Sequence, residues 1–262
     1  PSTNNDQPTT KMNAYVKSTI QKGIGTIEFF HPQSNSMPSS QLKNLVEEIN
    51  SLSKNDEVKV IILKSAGEKA FCAGASFDEL ISIKDFETGK TFFSGFANVI
   101  NAMRKSPKLI IARIHGKAVG GGVGIACAAD YTFATENASV KLSELAVGIG
   151  PFVIGPVVKK KIGTSSFAQL AINATEFYSA EWAQEKSMYQ DVYETPEEMD
   201  AEIQILAEKL ASSNPEAMSQ LKEIFWKGTE DWDELLAERA GTSGNLVLSD
   251  FTVNATNQFK NK

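Results

Sequence analysis

Apolar and polar residues alternate loosely over residues 15–30, with Gly23 and Gly25 breaking the run, which is the pattern of two short strands joined by a tight turn. His31-Pro32 ends the second strand. Over residues 39–52 the apolar positions Leu42, Leu45, Val46, Ile49 and Leu52 take a helical spacing, and residues 58–63 are a largely β-branched run suited to a buried strand. The order then repeats. A loop is expected over 65–75, helices over 77–83 and 92–103, and a strand over 109–114. A glycine-rich turn, an apolar helix through Ala129 and a strand over 131–134 follow. Alternation of this kind predicts an α/β layer fold. After Gly155 the pattern becomes helical, over 164–174, 180–187, 196–211, 215–227 and 231–248, with a soft boundary at 193–196. No internal repeat is visible, and the polar stretch 1–12 reads as a disordered tail.

Composition narrows the function classes. The chain has 262 residues, 42% hydrophobic and 22% charged, which is ordinary for a soluble globular protein with a sizeable core. A net charge of -6 and a pI near 5.2 argue against a nucleic-acid surface, since phosphate contacts need a concentrated basic patch. The one basic cluster, Lys159-Lys160-Lys161, is expected to be a solvated helix face. Cys72 and Cys127 sit among small apolar residues as free buried thiols do, which points to a reducing cytoplasm. No apolar run reaches the roughly 18 residues of a membrane span, and the first residues lack the order of a signal peptide. No histidine, cysteine or carboxylate cluster has metal-ligand spacing, so no metal is expected.

Two stretches of small residues carry the candidate chemistry. Gly120-Gly121-Gly122 opens a helix after the strand 109–114, and Phe71-Cys72-Ala73-Gly74-Ala75 follows the strand 58–63 in the same way. Backbone amides approach a substrate closely only where side chains are tiny, and amides at a helix N-terminus are already polarised toward negative charge. Such a pair suits a reaction in which charge develops on a carbonyl oxygen, as it does beside a thioester. A tight turn with close helix packing would use the same glycines. Neither stretch has the glycine spacing of a dinucleotide or P-loop motif.

Lys69-Ala70-Phe71-Cys72-Ala73-Gly74-Ala75 and Ile114-His115-Gly116-Lys117-Ala118-Val119-Gly120-Gly121-Gly122 together resemble the enoyl-CoA hydratase/isomerase, or crotonase, superfamily. The likeness runs from about Tyr15 to the C-terminal helices, including Asn214-Pro215-Glu216-Ala217. It implies a spiral of ββα turns over 13–195, carrying an acyl-CoA site, and a helical oligomerisation region over 196–262, assembled as homotrimers or hexamers. It also implies that the amides of Ala75 and Gly121 form an oxyanion hole flanked by Gly74 and Gly120. Backbone near Ala73 would bind the adenine end of coenzyme A, and Lys69 would lie near its phosphates. Coenzyme A is then part of the substrate, and no separate cofactor is expected.

Hydratases of that family use two glutamates, and this chain departs from the pattern. The first is replaced by Gly124, which would leave that residue beside the substrate; the second falls on Glu144. A glycine that often follows is here Phe152, in Gly150-Pro151-Phe152. One glutamate suffices to move a double bond, because a single carboxylate can take a proton from C2 and return it at C4; hydration with one is harder. Decarboxylation or hydrolysis of an acyl-CoA, or binding without turnover, are the alternatives. An apolar neighbourhood would raise the pKa of Glu144 and suit it to acid/base work. Asp78 and Glu79 are expected to cap a helix or line the pocket, Asp130 to end a helix, and His115 to be a packed, hydrogen-bonded residue. Phe92, Phe93 and Phe96 are expected in the core or the acyl pocket.

Overall fold

The computed structural model describes residues 13–260, so the tail expected over 1–12 lies outside them. The chain opens with an antiparallel pair, β1 (Tyr15–Gln21) and β2 (Ile24–Phe30). Lys22 and Gly23 turn with φ of 50° and 82°, the two positive values that a type I′ hairpin needs. Gly25 does not break β2; it lies within the strand, where a side chain would strike Leu52. Helix α1 (Ser39–Lys54) buries Leu42, Leu45, Ile49 and Leu52, one face of its predicted spacing.

The same turn of chain then recurs. A strand in a six-stranded sheet is followed by a short strand in a second sheet, and then by helix. β3 (Val60–Ser65) and β4 (Ala70–Cys72) precede α2 (Phe77–Ser82) and α3 (Phe86–Lys105). β5 (Leu109–Ile114) and β6 (Lys117–Val119) precede α4 (Gly121–Ala128). β7 (Tyr131–Thr135) and β8 (Ser139–Lys141) precede a 3-10 turn (Leu145–Val147) and α5 (Gly155–Ile172). β9 (Tyr178–Ser179) and α6 (Ala180–Glu185) lead to β10 (Asp191–Tyr193). The large sheet has the order β1-β2-β3-β5-β7-β10, parallel after its first pair, and the small one β4-β6-β8-β9. This is the α/β, crotonase-like ββα spiral expected. The repeat it contains is one of structure and leaves no repeat in the sequence.

The parallel strands are apolar on both faces because both are covered. Ile61, Leu63, Ile110 and Ala112 face the main core with α1, α3 and α4, while Val60, Ile62, Ile111 and Phe133 face α7 (Pro196–Ala211) through Met199, Ile203 and Ala207. Residues 193–196, where a boundary is expected, connect β10 to this helix, which itself packs on the large sheet. α8 (Pro215–Phe225), α9 (Trp232–Leu246) and α10 (Asp250–Lys260) complete the helical C-terminal region, α9 lying along α3 and α10 against α2 and the 3-10 turn.

Several expectations are corrected. α3 starts six residues before Phe92, at a cap where the Asp85 carboxylate accepts from the Thr88 amide at 2.8 Å; its first turns are polar and carry no periodicity. α5 starts at Gly155 rather than residue 164 and kinks at Gly163, φ 76°. β4, β6, β8, β9 and β10 are two or three residues long, too short for alternation to register. The helix expected over 231–248 ends at Leu246, and α10 follows as a separate element. Lys159 and Lys160 are exposed, but Lys161 is not part of a solvated face: its ammonium donates to the Ala129 carbonyl at 3.1 Å, and burial lowers its pKa. Both cysteines are free and buried. Among the described residues no helix is long and apolar enough to cross a membrane.

Candidate functional site

The two small-residue stretches meet at one cavity. The loop after β4 is held by an isolated parallel bridge between Met37 and Ala75. Met37 donates to the Gly74 carbonyl at 2.8 Å and accepts from the Ser76 amide at 3.2 Å. In a parallel bridge those bonds belong to the residues flanking Ala75, so its own N–H points away from Met37. At the other stretch, Gly120 takes φ 53° and ψ -120°, a conformation that side chains resist, and donates to the Lys141 carbonyl at 2.9 Å. That turn starts α4 at Gly121, whose amide has no intrahelical partner and lies at the positive end of the helix dipole. Among the described residues, neither the Ala75 nor the Gly121 amide donates a hydrogen bond.

The glycines let these backbones touch. A methyl group on Gly74 would lie 2.8 Å from the Val119 carbonyl oxygen and 3.6 Å from the Gly121 nitrogen. One on Gly122 would lie 2.5 Å from the Cys72 carbonyl oxygen, and one on Gly121 would fall inside the Phe96 ring. Close packing and free amides are therefore the same arrangement, not competing readings of it.

Glu144 stands over this turn. Its Oε1 is 3.0 Å from where a side chain on Gly120 would begin. The chain around it folds tightly, with the amides of Val147 and Ile149 both donating to the Glu144 carbonyl, at 3.2 and 3.0 Å, and Gly148 closing the 3-10 turn at φ 84°. The residue as a whole is half-buried, but its Oε2 is fully buried without a partner among the described residues. Loss of hydration disfavours the charged form, and the pKa is pushed up from 4.5 to about 7.

The cavity measures about 220 Å³, and Glu144 is the one ionisable side chain in its wall among the described residues. Ala73, Gly74, Ala75, Gly120, Gly121 and Phe152 join it there, as do Phe93 and Phe96. Phe92 packs edge-on against Phe93 and does not reach the cavity. Lys69 is exposed and outside the wall. Gly124, expected beside the substrate, is not in the wall either: a methyl group there would meet Ile154 Cγ2 at 2.5 Å. Ile154 packs directly over Gly124 and leaves no room for a side chain there.

Other candidates are structural. Ser76 caps α2 by accepting from the Glu79 amide, while the Glu79 carboxylate accepts from the amide and hydroxyl of Ser39 and so ties down the start of α1. Asp78 accepts from Gln33 at the surface. Asp130 follows α4 and forms a buried ion pair with Lys222 at 2.9 Å, accepting also from the Ile110 amide and the Trp226 indole. His115 is buried, but neither ring nitrogen has a partner among the described residues, and burial holds its pKa near 4. The wall residues Leu80, Val147, Ile149, Ile154 and Ser243 gave no sign in the sequence. Ser243 comes from α9, more than 90 residues beyond Glu144, and nothing local marks it.

A cavity of this build can hold an oxygen on backbone amides while a neutral-range carboxylate moves a proton. The sequence matches the family described as enoyl-CoA hydratase/isomerase over residues 19–252. The chain belongs to the enoyl-CoA hydratase/isomerase family. As a member of that family it is an acyl-CoA-processing enzyme. It is 28% identical to the short-chain-enoyl-CoA hydratase of Clostridium acetobutylicum over 229 residues, 87% of each chain. It is likewise 28% identical to the peroxisomal Delta(3,5)-Delta(2,4)-dienoyl-CoA isomerase of Arabidopsis thaliana over 197 residues, 70% of this chain and 69% of that one. The crystal structure of enoyl-CoA hydratase from Bacillus halodurans superposes with a TM-score of 0.86 at 20% identity, covering 93% of this chain and 99% of that one. Its relatives thus include a hydratase and an isomerase.

Proposed function

We propose that this enzyme moves the double bond of a 3-enoyl-CoA to the 2 position, with Glu144 as its single acid/base. The amides of Ala75 and Gly121 hold the thioester oxygen as it gains negative charge. The Glu144 carboxylate takes the proton from C2, giving a conjugated dienolate, and the protonated acid returns that proton at C4. Atoms balance with no water and no second group. The observation that carries the reading is the pairing of one ionisable wall residue with an Ile154 side chain packed over Gly124. A pKa of about 7 suits both halves of the transfer near neutral pH. Backbone at Ala73 and the exposed Lys69 are proposed to meet the nucleotide end of coenzyme A. Assembly as trimers or hexamers and a cytoplasmic location belong to the same proposal.

Hydration of a 2-enoyl-CoA is the second reading, favoured by the Ser143 and Ser243 side chains, which bring hydroxyl groups to the same wall and could position a water. Supplying 3-enoyl-CoA and 2-enoyl-CoA thioesters separately, with products resolved by chromatography, distinguishes the two. Formation of 2-enoyl-CoA from the 3-enoyl substrate as the faster reaction is expected. Faster appearance of 3-hydroxyacyl-CoA from the 2-enoyl substrate would overturn the isomerase assignment.

A further inference from the structure

Phe152 lines two cavities. With Gly150 and Pro151 it forms part of the wall around Glu144 and also part of the wall of a second cavity of about 760 Å³, against about 220 Å³ for the first. The second cavity is walled by Phe167, Trp232 and Leu235, with Leu145 and Ile172 among its lining. Ile172 and Leu145 are 75% and 49% exposed, so the cavity opens to water along an apolar edge. The exposed Lys159 and Lys160 and the half-buried Arg239 also line it.

The two spaces thus share the wall residues 150–152, with one aromatic ring in that wall. Gly150 has φ 87°, and a side chain there would begin 2.9 Å from the Phe152 ring. The ring is folded back on a residue that leaves it room. We propose that Phe152 partitions the thioester cavity from a tail cavity, and that the distal methylenes of a long acyl chain occupy the second space. The occupant follows from the shared wall: a chain whose carbonyl is fixed at Ala75 and Gly121 and whose reacting carbons lie by Glu144 has an apolar space on the far side of Phe152, which it enters when the ring yields. Water-exposed apolar walls favour an apolar guest. Phe152 then sets chain-length preference through how readily its ring yields. This rests on the reading of the first cavity as the thioester site.

The test compares thioesters of four and twelve carbons. In Phe152→Ala the ratio of kcat/KM for twelve over four carbons should rise by about tenfold or more, the discrimination that a few methylenes in an apolar pocket provide, and Phe152→Leu should give a smaller rise. Leu235→Glu on the Phe152→Ala background should take the gain away. Calorimetric Kd values for butanoyl-CoA and dodecanoyl-CoA, which need no turnover, should move in the same sense. A ratio and Kd difference unchanged in both Phe152 variants, with melting curves showing them folded, would overturn the proposal. So would a Leu235→Glu protein that changes subunit number and leaves the ratio alone, since the groove would then belong to a second copy. If wild-type enzyme turns over no enoyl-CoA but the Kd values follow the pattern, the reaction assigned above fails and the tail cavity stands.

Discussion

Replacing Glu144 by glutamine keeps the shape of the side chain and removes its titration, so it separates what the carboxylate does for the reaction from what it does to the fold. The pKa is about 7 in the folded protein and 4.5 ordinarily. A carboxyl group whose folded pKa is raised binds more protons folded than unfolded, so it weakens the fold progressively as pH rises from 4.5 through 7, and no further above that. At about 1.4 kcal/mol per pH unit, the full effect is about 3 kcal/mol. Glu144→Gln should therefore match wild type near pH 4.5 and exceed it by about 3 kcal/mol at pH 8, read from urea unfolding at each pH. Activity should move the other way. Wild-type kcat/KM should climb with pH through a midpoint near 7, since the base must be ionised to take the C2 proton. The variant should lose about 100-fold to 10,000-fold in kcat, the usual worth of a positioned acid/base. A stability difference that is the same at pH 5 and pH 8 would refute the burial argument. Undiminished turnover in the variant would refute the catalytic one.

Two further outcomes test the packing. Gly124→Ala should cost about 1–3 kcal/mol by forcing Ile154 aside, although alanine is intrinsically the better helix former. On an Ile154→Ala background the same change should be neutral or stabilising by up to about 1 kcal/mol, and equal costs in both backgrounds in a denaturation cycle would show that Ile154 does not fill the site. Asp130→Ala should cost about 3–5 kcal/mol, because it leaves the Lys222 ammonium, 3% exposed, buried without its charge partner. Asp130→Ala with Lys222→Met should recover most of that; a double variant no more stable than the single one would place the cost elsewhere.

Hydrophobic period determined much of the fold. Residues 39–52 wrote their helix face plainly, and the strand centred on Ile61 and Ile62 read as doubly buried because both its faces are covered. The glycine clusters at residues 74 and 120–122 marked where backbones approach, since only residues without side chains fit there. The helix period survives in sequence because it is set within one or two turns of the same helix, and the glycines and the doubly apolar strand survive because a residue type alone marks a close approach or a buried face, even where the partner lies far along the chain. The second sheet did not survive: strands such as Lys117–Val119 are held by partners far along the chain and are too short to show a period. The same is true of the site. Sequence placed Glu144 and the two free amides as candidates, but the raised pKa depends on walls supplied by α3, the segment 149–154 and α9 together. It showed glycine at position 124 without showing why. That Ile154 fills the space above it, and that Phe152 stands between two cavities, are consequences of packing between segments, and these only the tertiary structure decided.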